Sequence, residues 1–121
     1  MNTLLVAGPY GFLVLSGTLH FVVDVVSQRL RGVRLPGPET TLYYGLNSGF
    51  SLGQVALGAV GLWLASRSPE LLREAPMLLI TALAGVGWLA MTFLFMEYRE
   101  PKIAVSIFLA LFVVSAVLGR R

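Results

Sequence analysis

The chain has 121 residues, 56% of them hydrophobic and 12% charged, with a formal net charge of +3 and a mean hydropathy of +0.80. A water-soluble domain carries about 25% charged residues, so a globule of this composition lacks the polar surface that water requires. Cysteine is absent, which excludes disulfides, thiolate metal sites and cysteine nucleophiles. The nine Lys and Arg sit in short inter-helix segments and at the tail, a membrane-flanking pattern rather than a phosphate-tracking stripe, so nucleic acid is not expected as a partner.

Crossing about 30 Å of hydrocarbon takes roughly 20 helical residues. Four stretches meet or approach that length, at about 3–26, 41–65, 75–96 and 103–119. Only α-helices or a closed barrel satisfy backbone polar groups in lipid, and these runs are too long and uniform for barrel strands. The expected fold is therefore all-α: one domain over residues 1–121, an integral membrane four-helix bundle with up-down-up-down topology, in the plasma or inner membrane with the bilayer as its partner. The first stretch has no basic residue before Arg29 and is too long for a signal peptide, so it reads as a retained helix.

The connections carry stop and start signals. The first holds Arg29, Arg31 and Arg34, then Pro36, Gly37 and Pro38, with Glu39 placed to complement the positive end of the second helix. The second offers Ser68 as an N-cap before Pro69 and Glu70, predicting a short interfacial helical turn. The third, residues 97–102, is the tightest and contains Pro101. Orientation is not set by charge: Arg67, Arg73, Arg120 and Arg121 on one side face Arg29, Arg31, Arg34, Arg99 and Lys102 on the other. A dual-topology homodimer is one consequence.

Polar side chains are costly in lipid, so their placement is informative. Ser16, His20 and Asp24 follow at i, i+4 and i+8 on one face of the first helix, with Ser27 extending the stripe. Tyr44, Asn47, Ser51 and Gln54 form a second stripe, flanked by Tyr43 and Ser48. With sequential helices antiparallel, His20, Asp24, Tyr44, Asn47, Thr92, Glu97, Tyr98 and Ser106 gather at one end of the bundle, which predicts a polar vestibule closing onto an apolar floor between helices one to three. Trp88, mid-helix, is either packed or pocket-lining. Each of these residues has a structural reading beside the functional one: His20 and Asp24 as an internal hydrogen-bonded pair, Glu97 as an interfacial charge, Asn47 and Gln54 as interhelical glue. Gly45, Gly49 and Gly53 recur every four residues, a ridge for close packing within the chain or between two copies.

No metal site or cofactor is expected. One His with scattered carboxylates forms no established ligand set, a bis-histidine haem is impossible, and phosphate loops and dinucleotide fingerprints are absent. Ser16, His20 and Asp24 share a face but lack a nucleophile elbow. Acid–base chemistry on a lipophile suits the residues best, with His20 and Asp24 as the acid–base pair and Tyr44 and Asn47 orienting the ligand. Two other classes use the same parts: a proton-coupled homodimeric transporter with Asp24 as coupling carboxylate, and a non-catalytic accessory subunit docking through the glycine ridge.

Leu19-His20-Phe21-Val22-Val23-Asp24 and Tyr98-Arg99-Glu100-Pro101 resemble segments of the EXPERA-type sterol isomerase and sterol-binding domains and of DoxX-type membrane proteins. That resemblance implies a compact four-helix unit whose polar residues line a lipophile pocket. The four-helix plan and balanced charge are also similar to the small multidrug-resistance transporters, but Leu13, Val14 and Leu15 stand where those carry a mid-helix glutamate. The segment from Asn47 to Gln54 looks like part of an uncharacterised membrane-protein family, which implies no activity.

Overall fold

The computed structural model describes residues 2–119. Arg120 and Arg121, which enter the charge comparison, lie outside the described residues. Among the described residues the backbone is all-α, with no strand and with four helices long and apolar enough to cross a membrane: α1 Thr3–Arg31, α2 Pro38–Arg67, α3 Ala75–Phe95 and α4 Glu100–Leu118.

The helix ends follow capping chemistry rather than the limits of the apolar runs. Asn2 starts α1 by accepting the Leu5 N–H at 3.2 Å through its side chain. Its far end lies at Arg31, five residues beyond the expected Val26, because the stop signal is Gly32 and not the first polar residue. Gly32 adopts φ 61°, its N–H reaches the Arg29 carbonyl and that of Val33 reaches Gln28, the paired bonds of a Schellman motif. Within α1, Val22–Ser27 winds as a π-helical turn. Pro38 opens α2 at its first turn, where a missing N–H costs nothing, and the Thr41 N–H bonds the Gly37 carbonyl. Pro101 does the same for α4, so that helix begins at Glu100 and not after the proline. Between α2 and α3, Pro69–Arg73 forms a single 3₁₀ turn, held through the Ser68 backbone carbonyl with no side-chain cap.

The four helices pack into one bundle with sequential neighbours antiparallel. The α1–α2 seam reads His20 beside Asn47, Ser16 beside Gln54 and Tyr10 beside Gly58 and Gly61. A Cβ at Gly58 would stand 2.7 Å from the Tyr10 carbonyl oxygen, and at Gly17 it would stand 3.0 Å from the Gln54 Cβ. Small residues there let the two backbones approach. The α3–α4 seam has its own close approach, Gly85 against Leu109 and Phe108. Helix α4 lies across α1, with Val6 against Gly119. The core is Val6, Tyr10, Leu13, Ala65, Leu72, Phe108 and Phe112, with Trp88 edge-on to Phe108 at 6.1 Å. Tyr10 and Thr81, both buried, share a 2.9 Å hydrogen bond that ties α1 to α3.

The outer surface is as apolar as the core. Leu52, Leu94 and Phe95 are 70%, 72% and 72% exposed, and each belongs to a helix of spanning length. Such surface is unfavourable in water by roughly 25 cal/mol per Å² and carries no such cost in hydrocarbon.

Candidate functional site

Three elements converge on Asn47. It lies on α2, 4% exposed, and its amide N–H₂ donates to the Tyr43 backbone carbonyl at 2.8 Å. That bond turns the amide oxygen toward α1 and the α3–α4 connection. There it accepts the Tyr98 hydroxyl at 3.2 Å and meets His20 Nε2 at 2.8 Å. An amide oxygen only accepts, so the network assigns the proton of that contact to His20 Nε2.

On its other side, His20 Nδ1 lies 2.9 Å from Asp24 Oδ2. With Nε2 already a donor, this contact holds one proton, as imidazolium–carboxylate or as imidazole–carboxylic acid. Removing it leaves acceptor facing acceptor. The i, i+4 spacing brings the two side chains together, and Phe50 packs against the imidazole with ring centroids 4.9 Å apart. The side chains are 8% and 15% exposed, so neither is solvated on all sides.

A polar fringe continues from the pair. Gln28 donates to Asp24 Oδ1 at 3.5 Å and to the Tyr43 hydroxyl at 3.3 Å, while Arg34 reaches Gln28 and stacks 3.4 Å over the Tyr43 ring. Tyr98 lies in the connection after α3. Burial pushes its hydroxyl above the ordinary value, and the neighbouring Tyr43 hydroxyl and the Asp24 charge push the same way. It therefore stays a neutral donor to Asn47.

Beside this network is a cleft of about 430 Å³ between α1 and α4. Phe12, Leu15, Leu19, Ile103 and Ile107 form its apolar walls, and Ser16, His20, Asp24 and Glu100 form its polar edge. Its volume falls within the range of small-molecule sites. Helices α1 and α4 meet at the Val6–Phe112 end of the bundle, and the cleft opens at the opposite end.

The expected residues separate into four groups. His20, Asp24 and Asn47 form one hydrogen-bonded set; Gln54 joins Ser16 one turn away at 3.4 Å, and Ser51 is buried between them with its hydroxyl unpartnered. Thr92, Trp88 and Glu97 stand apart: Thr92 bonds its own helix at the Leu89 carbonyl, Trp88 packs on Phe108 and over Gly53, and Glu97 is exposed. Tyr44 faces a different pocket, beneath the first connection. A Cβ at Gly45 or Gly49 would meet nothing within 4 Å, so the ridge is an open face rather than an intrachain seam. The cleft lies between the first and fourth helices and not among the first three, because its walls are Phe12 to Asp24 on α1 and Glu100 to Ile107 on α4. Sequence reasoning missed Gln28, Arg34 and Glu100; Gln28 falls at i+4 from Asp24, a signal that was present. Among the described residues no group of three His, Asp or Glu could hold a metal.

No family model, curated protein or solved structure matches the chain, so the resemblances noted above rest on their short segments alone.

Proposed function

We propose that the protein is an integral membrane four-helix bundle, up-down-up-down, that binds a lipophilic small molecule in the α1–α4 cleft and exchanges a proton with it through His20–Asp24. The observation that carries this reading is the position of the pair: a one-proton contact at the polar edge, shared with Ser16 and Glu100, of an apolar-walled cleft. In that setting the ligand's body replaces lipid against Leu15, Leu19 and Ile107, and its polar head meets Asp24 and His20. A carboxylate–imidazole pair in low dielectric donates and regains a proton without a solvent shell to reorganise. Asn47 and Tyr98 are positioning residues: Asn47 accepts the Nε2 proton and Tyr98 holds the Asn47 oxygen in place, which leaves the Nδ1–Asp24 contact as the one that exchanges. The apolar outer surface and the four spanning-length helices support bilayer placement.

Ala104 lines the cleft on α4, and its methyl side chain takes no part in the hydrogen-bonded set. Ala104→Trp should fill the cleft and remove any lipophile recovered by organic extraction and mass spectrometry, while helicity stays unchanged. Undiminished recovery from a folded Ala104→Trp variant would place the lipophile elsewhere.

A further inference from the structure

The cations of the first connection have no assigned work, nor does the open glycine face of α2. Arg29 and Arg34 line a pocket of about 680 Å³ beneath residues 32–37, together with Thr40, Thr41, Tyr44 and Ser48. Among the described residues the ion pair within 4 Å is His20–Asp24, so no carboxylate neutralises Arg29 or Arg34. Glu39, in the first turn of α2, is exposed and pairs with neither. Arg34 is nevertheless fixed, by its stack on Tyr43 and its bond to Gln28, with the end of its guanidinium left to a ligand. Two cations with several hydroxyls around them match a phosphate monoanion.

The pocket does not end there. Thr41 and Gly45 also line an apolar groove of about 740 Å³ that continues along α2 past Leu46, Gly49 and Phe50 to Met91. The missing side chains at Gly45 and Gly49 make its floor, and from Thr41 to Phe50 it runs about 14 Å at the helical rise. A charged head pocket opening onto an apolar trough is the shape of an amphiphile. A second copy packed parallel on this face, about a two-fold axis normal to the membrane, would instead set the same cations against one another.

We propose that this surface binds an anionic phospholipid, its phosphate against Arg29 and Arg34 and one acyl chain along the Gly45–Gly49 face of α2. The site is separate from the α1–α4 cleft, and its occupation rests on the bilayer placement and not on the acid–base reading.

Native mass spectrometry of the detergent-purified chain with equal dioleoyl phosphatidylglycerol and dioleoyl phosphatidylcholine tests it. Two interfacial cations should give about a thirtyfold preference for the anionic lipid. Arg29→Gln/Arg34→Gln should abolish that preference, and Gly49→Leu, which has room for its side chain, should weaken retention of both lipids with helicity intact. Equal binding of the two lipids by wild type overturns the proposal. Displacement of phosphatidylglycerol by millimolar inorganic phosphate also overturns it, in favour of a small-anion site. A lipid-free dimer that Gly49→Leu dissociates overturns it in favour of an interface between copies.

Discussion

Gly58→Leu is expected to separate α1 from α2 and to abolish the native bundle. The Cβ alone would lie 2.7 Å from the Tyr10 carbonyl oxygen and 3.0 Å from the Val14 amide nitrogen, so the obstacle is backbone and no rotamer relieves it. Tyr10 is tied to Thr81 and is 2% exposed, which denies α1 an easy retreat. Overpacking a tight core costs about 1–3 kcal/mol, and a branched side chain forced against backbone lies at or above the top of that range. Opening the seam also breaks the His20–Asn47 and Ser16–Gln54 bonds. Thermal unfolding followed by circular dichroism in mild detergent checks it. Gly49→Ala is the control: its Cβ meets nothing within 4 Å, and helix propensity favours Ala by up to about 1 kcal/mol. Equal stability of Gly58→Leu and wild type would contradict the close α1–α2 packing.

Asn47→Leu carries the second large effect, and it acts on chemistry more than on fold. Losing the amide oxygen strands the Tyr98 hydroxyl and the His20 Nε2 proton, both part-buried. Interhelical hydrogen bonds in membranes average about 0.6 kcal/mol, so the two lost bonds destabilise by about 1–2 kcal/mol. The sharper consequence concerns the imidazole. With Asn47 present, Nε2 bears a proton; without it, only the Asp24 carboxylate bears on the tautomer, and it favours the proton at Nδ1. Nitrogen-15 NMR of labelled histidine should show a protonated Nε2 in wild type and a shift of that proton toward Nδ1 in Asn47→Leu, with the single histidine making the assignment unambiguous. A protonated Nε2 unchanged in the variant would remove Asn47 from its positioning role.

The four helices were legible because lipid-length apolar runs need no knowledge of neighbours. Their ends were less so. Gly32, Pro38 and Pro101 are capping signals, and reading the ends from hydropathy placed one helix end too early and two starts too late. The polar stripes gave His20, Asp24, Asn47 and Gln54 because i, i+4 spacing is a property of one helix. Tyr98 and Tyr43 were noted as neighbours of the polar end, but their bonds to Asn47 and Gln28 depend on how helices rotate against one another. The cleft was not legible at all. Its α4 wall, Ile103, Ala104 and Ile107, is ordinary apolar sequence, and only packing shows that it faces Asp24. Glycine spacing misled for the same reason: the regular Gly45–Gly49–Gly53 ridge is largely open, while the tight contacts fall at Gly17, Gly58, Gly61 and Gly85.

The most direct measurement is native mass spectrometry of the protein released gently from its own membrane, wild type beside His20→Ala. A lipophile bound against the His20–Asp24 edge predicts one retained lipophilic small molecule per wild-type chain, lost or sharply reduced in the variant. A ligand-free wild-type chain, or one that holds the same molecule equally well without the imidazole, would contradict it.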